Sequence, residues 1–186
     1  PVAMAATVTL GVAPLLFAQL VYAKPVYSAS ITSAWFWLAI FGAVIIGYYC
    51  LYGSVFPREG AKSRAPLLLA VALAAVAYVS FVYSTVFSLA ERPDLYKALY
   101  AANQSGLVIN SAVGDWLPRW IHMILGALTV GGFFVGVLGR DNEALFNLGK
   151  RFFLWGMMAT IVAGLVYLFA LGDYILPVMR SIAIWL

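Results

Sequence analysis

His122 is the single histidine of this 186-residue chain, and it lies in an apolar run that begins near Trp116. Read as a helix, the run puts His122, Gly126, Thr129, Gly132 and Gly136 on one face. At 1.5 Å rise per residue the ring lies about 10 Å below the start of that helix. An ionisable side chain at such depth in a membrane is costly without a partner, so it is a functional candidate by default. Three chemistries suit the face. The imidazole can bind a haem iron axially, with Gly126 one turn away giving the macrocycle room. It can hydrogen-bond a quinone carbonyl. Or it can stay neutral and bond a neighbouring helix, with the glycines serving only close packing.

Arg119, one turn before His122 and between Trp116 and Trp120, has two readings. It is a snorkelling residue of an interfacial aromatic belt, or a clamp for a haem propionate or quinone head. The candidate cofactor site is therefore His122, Arg119, Gly126 and Thr129, with His122 as the iron ligand. A second axial ligand has no histidine to supply it. The methionines are Met4, Met123, Met157, Met158 and Met179, and each is more often a core filler than a ligand. Gln19 is expected to bond across helices. Cys50 is the only cysteine, so there is neither an internal disulfide nor a Cys-x-x-Cys-His haem attachment. No phosphate loop, dinucleotide loop, His-Glu-x-x-His or serine nucleophile motif occurs. No row of buried carboxylates is present, which argues against a cation-coupled carrier.

The elements that hold these residues follow from composition. Hydrophobic residues make up 65% of the chain and charged ones 10%, against about 25% charged in soluble domains. Lipid is the solvent. The net charge of +4 is scattered, so no basic stripe points to nucleic acid. The expected fold is all-α, a single transmembrane helical domain with spans near 2–23, 31–53, 65–90, 116–139 and 151–172. The apolar stretch from Tyr174 to Leu186 reads as a truncated sixth span, and the ends at Pro1 and Leu186 suggest missing residues on both sides. Pro14 should kink the first span, and Ala23-Lys24-Pro25 should end it.

Basic residues are densest in the 54–64 and 140–151 connections, which places these in the cytoplasm and the 91–115 segment outside. In that outer segment Pro93-Asp94 starts a short helix whose face of Leu95, Leu99 and Ala102 would lie on the membrane. Asp115 is expected to cap the fourth span. Leu10-Gly11-Val12-Ala13 against Leu125-Gly126-Ala127-Leu128, and Trp37 with Gly47-Tyr48 against Trp155 with Gly164-Leu165, suggest an inverted three-helix repeat.

The stretch Trp120-Ile121-His122-Met123-Ile124-Leu125-Gly126-Ala127-Leu128-Thr129-Val130-Gly131-Gly132 resembles the His-bearing helices of bacterial inner-membrane cytochrome b-type subunits. Thr9-Leu10-Gly11-Val12-Ala13-Pro14-Leu15-Leu16-Phe17, with Arg92-Pro93, is similar to an uncharacterised bacterial multi-span family associated with respiratory cytochromes. Of the site, only His122 carries over, and the usual second histidine is missing. The resemblance implies a subunit of an inner-membrane electron-transfer complex, binding haem b or quinone through His122, with a c-type cytochrome docking on the outer segment. The competing expectations are a non-catalytic structural subunit and a small-solute transporter.

Overall fold

A computed structural model describes residues 15–56 and 62–172. Residues 15–21 are helical. They lead to α1 (Ala23–Thr32), α2 (Ala34–Val55), a 3₁₀ turn (Lys62–Arg64), α3 (Ala65–Ala90), α4 (Pro93–Ala102), α5 (Val113–Leu138) and α6 (Glu143–Ala170). No strand occurs among the described residues. Helices α2, α3, α5 and α6 are each long and apolar enough to cross a membrane. Their outward faces carry large apolar side chains such as Phe41, Leu73, Val130 and Trp155. A surface of this kind belongs in lipid, and the chain is a multi-pass membrane protein.

The chain forms two compact units, residues 1–110 and 111–186. In the first, α2 and α3 are paired as a hairpin. Gly47 lets them approach, since a methyl group there would stand 3.0 Å from Ala75 Cβ. The Tyr78 hydroxyl donates to the Phe36 carbonyl at 2.9 Å. The unit's core is Val26 and Ala29 of α1 with Val82, Val86, Leu89 and Ala90 of α3. Leu95, Tyr96 and Leu99 of α4 pack against it. Leu95 and Leu99 of that face are half-buried against the core, and Ala102 is exposed. A helix this short is marginal alone and gains its stability from that docking.

Several boundaries differ from expectation. Pro14 and the stretch from Tyr174 lie outside the described residues. Lys24-Pro25 opens a helix instead of closing one. The irregular residue is Tyr22, and Pro25 sits in the first turn of α1, where its missing N–H costs nothing. The second span is divided at Ser33, so α2 starts at Ala34. Helix α5 begins at Val113, which puts Asp115 inside the first turn and gives the cap position to Ala112. Helix α6 begins at Glu143, eight residues before the apolar run. Asn142 explains this start, because its side chain accepts the Leu145 N–H at 3.2 Å. Hydropathy marks the part of a helix in hydrocarbon, whereas capping marks the end of the helix itself.

The second unit is the α5–α6 hairpin. Contact partners mirror one another about Asn142: Gly139 faces Leu145, Gly136 faces Gly149, Gly132 faces Phe153 and Gly156 faces Thr129. On α5 the seam steps by three and four residues, the spacing that keeps two helices in contact along their length. A methyl group on Gly132 would lie 2.6 Å from the Phe153 nitrogen, and one on Gly149 would strike the backbone nitrogen of Gly136. By contrast, a methyl on Gly131 meets nothing within 4 Å. Gly149→Ala should therefore lower the unfolding midpoint of detergent-solubilised protein in an SDS titration, by about 1–3 kcal/mol of overpacking. Gly131→Ala should be neutral or stabilising, and equal effects at the two sites would contradict this seam.

Candidate functional site

The seam continues from Gly156 to the level of His122. There the His122 Nδ1 lies 3.1 Å from the Thr160 carbonyl oxygen of α6. A carbonyl only accepts, so Nδ1 is the donor. In the neutral ring Nε2 then keeps its lone pair. Gly164 makes the approach possible: a methyl there would stand 3.0 Å from His122 Cε1 and 3.2 Å from Nδ1. The ring is half-buried, laid against a bare stretch of α6 backbone.

A second polar contact lies two turns further along. Thr129, 6% exposed, donates its hydroxyl to the Leu125 carbonyl at 2.8 Å. Its Oγ1 is also 3.2 Å from the Thr160 Oγ1. Gly156 clears the space, since a methyl there would come 2.6 Å from Thr129 Oγ1. Thr160 thus meets α5 twice, by its carbonyl at His122 and by its hydroxyl at Thr129. In lipid such bonds across helices contribute about 0.6–2 kcal/mol each.

Arg119 closes this end of the hairpin. Its Nε donates to the Tyr167 hydroxyl at 2.7 Å, and its guanidinium carbon lies 5.4 Å from the centre of the same ring. Both contacts hold Arg119 to α6.

The four sequence candidates therefore separate. His122 and Thr129 face α6 and share Thr160. Arg119 reaches the same helix one turn away. Gly126 does not belong to the seam, as a methyl on it would meet nothing within 4 Å. On the glycine face the helix-packing alternative holds at two positions. Gly132 and Gly136 are buried and taken up by helix contact, so they leave no slot for a flat ligand. Only Gly126 borders open space. The residues missed from sequence are Thr160, Gly164 and Tyr167. Their signal was present on α6, where Gly149, Gly156, Thr160 and Gly164 recur at steps of seven and four.

A further polar cluster, also unforeseen, lies in the first unit. Thr32, Ser33, Ser84, Thr85, Ser88 and Asn110 are all buried. Asn110 Nδ2 donates to the Thr85 carbonyl at 3.3 Å, and the Ser33 hydroxyl donates to the Val108 carbonyl at 2.7 Å. These bonds tie the 103–112 segment to α1 and α3. Gln19 forms no bond across helices among the described residues. It is exposed, on a groove of about 640 Å³ with Lys24, Tyr27 and Trp37. No group of three or more His, Cys, Asp or Glu side chains fit to hold a metal ion occurs among the described residues.

Comparison with family models, with curated proteins and with solved structures finds no match.

Because the chain has one histidine, a ring-¹⁵N spectrum of histidine-labelled protein gives the signals of His122 alone. At a pH where the ring is neutral, it should show a protonated Nδ1 and a bare Nε2. Gly164→Ala should disturb that pattern and cost about 1 kcal/mol, the typical worth of such a bond. Gly126→Ala should leave the spectrum unchanged. A protonated Nε2 in the unmodified protein would refute the assignment.

Proposed function

We propose that this chain is an integral subunit of a respiratory-type electron-transfer complex of a bacterial inner membrane, and that His122 Nε2 is an axial ligand of a haem b. The observation that supports this is the bond between His122 Nδ1 and the Thr160 carbonyl. Histidines that ligate metals almost always give their other ring N–H to such a partner, which fixes the tautomer and raises the basicity of the ligating nitrogen. Gly126, one turn along with open space beside it, fits a bulky neighbour on the His122 side of α5.

Haem held there supplies a one-electron carrier within the membrane. The chain's own part is to orient the imidazole and keep water from it. Thr160 fixes the ring plane, Gly164 lets it lie on the α6 backbone, and Thr129 holds Thr160 from the other side. Arg119, drawn to Tyr167, places a positive charge one turn from the ring, suited to offset a propionate. A second ligand to the iron would be a methionine of this chain or a residue of a partner subunit, or there would be none. A quinone in place of haem is less well supported, since its carbonyls need a donor and the neutral ring offers none at Nε2. The exposed positions of α4, Asp94 and Lys97 among them, would meet a c-type cytochrome at the outer face.

A second reading has its own observation. Gly132, Gly136, Gly149 and Gly156 lie at the α5–α6 contact, as in a subunit that only braces a larger complex. The two readings part on one measurement. The complex purified from its native membrane should give a reduced-minus-oxidised haem b band. His122→Ala should abolish it without changing the elution volume of the complex. No band in the unmodified complex, or a band untouched by His122→Ala, eliminates the haem assignment and leaves the brace.

A further inference from the structure

The capped end of the α5–α6 hairpin carries a feature unrelated to His122. A groove of about 370 Å³ runs along the seam there. Its floor is backbone, because Gly136 and Gly149 bring no side chains to it. Phe146 and Phe153 form its walls. Phe133 and Phe153, with ring centroids 6.0 Å apart, close its deep end. From Gly132 to Val137 it follows five residue steps of α5, about 7–8 Å at 1.5 Å per residue, and it ends beside Arg140 just past the helix.

The rim is cationic. Arg140 and Lys150 both line the groove, and both are exposed. Lys150 makes no ion pair among the described residues. Arg140 has only a loose one, its Nε 3.8 Å from Asp141 Oδ1 with both side chains in the open. Exposed pairs of this kind hold little energy and are easily exchanged. Lys150 lies at the level of Gly136, one turn deeper than Arg140, and its flexible stem can carry the ammonium up to the same height.

An apolar trough with two cations at its mouth, at the end of membrane-spanning helices, has the polarity of an anionic glycerophospholipid. We propose that this groove binds one. Its phosphate lies between Arg140 and Lys150, and the upper methylenes of one acyl chain lie over the Gly136–Gly149 floor between the phenylalanines. Basic pockets between helices are where anionic headgroups are held in membrane proteins. A helix from a partner protein would fill the trough but would leave both cations without a counter-charge. The second groove of the hairpin, beside Trp155, has Arg151 as its only charged residue, and so it provides an internal control.

The test uses the full chain in nanodiscs of phosphatidylglycerol and phosphatidylcholine mixed equally, released into detergent for native mass spectrometry. The unmodified protein should keep phosphatidylglycerol over phosphatidylcholine. Each cation near an anionic headgroup contributes roughly a fivefold gain, so Arg140→Gln with Lys150→Gln should cut that preference by about tenfold or more. Arg151→Gln should leave it within about twofold. Added inorganic phosphate should not displace the lipid. Because all three side chains are exposed, these variants should keep the unmodified unfolding midpoint, which is measured alongside. Retention unchanged in the double variant, an equal loss in Arg151→Gln, or displacement by phosphate alone would each overturn the proposal.

Discussion

The contact of Gly136 with Gly149 sets the conditions for everything else in the α5–α6 hairpin. In hydrocarbon, two helices gain nothing by hiding apolar side chains from one another, because lipid tails are equally apolar. They associate only where packing and polar contacts beat those with lipid. Glycine on both sides of the seam lets backbone meet backbone, and dispersion over that close approach becomes the adhesive. Once the helices are that near, a histidine on α5 can reach a carbonyl on α6 that is already engaged in its own helix. Carbonyls have two lone pairs, so Thr160 can accept from His122 without giving up its helical bond. The seam thus comes first, and the orientation of the imidazole follows from it.

This order explains what was readable in the chain. Composition identified the solvent, and the apolar run from Ala65 to Ala90 gave α3 to the residue. Pro93 and Asp94 marked α4 through local chemistry that needs no partner. His122 stood out because a lone ionisable group in lipid is expensive wherever the helices go. The role of the glycines was not readable, because a small residue invites either a ligand or a helix. Deciding between them requires the partner helix and its register. Gly132 and Gly126 look alike in sequence, yet one touches Phe153 and the other touches nothing. The early start of α6 escaped for another reason. The eight residues before the expected span carry Glu143 and Lys150, and hydropathy counts charge as the end of a span even where the helix continues.

The first unit is organised by a different device. Its buried polar groups are hydroxyls and an amide: Thr32 and Thr85 bond carbonyls of their own helices, while Ser33 and Asn110 tie in an irregular segment. Residues 103–110 are not helical, so their peptide groups need partners outside a helix. Ser33 brings a hydroxyl donor to the Val108 carbonyl, Asn110 of the segment donates its amide to the Thr85 carbonyl of α3, and Gly106 adopts φ +74° to turn the chain back toward Ala34. Ser33 and Asn110 of the polar cluster therefore hold this loop to α1 and α3.

The break at Ser33 carries a consequence for biogenesis. The Trp35 N–H donates to the Gly106 carbonyl, and the Thr32 carbonyl accepts from the Val108 N–H. Both complementary groups are made more than seventy residues later than the joint they complete. During synthesis, α1 and α2 leave the ribosome with that joint still open. It closes only when the stretch after α4 has emerged and folded back. Insertion of the first spans and their final setting are then separate events in time, and an interval exists in which water, a chaperone or lipid headgroups must satisfy the joint in place of the absent strand of chain.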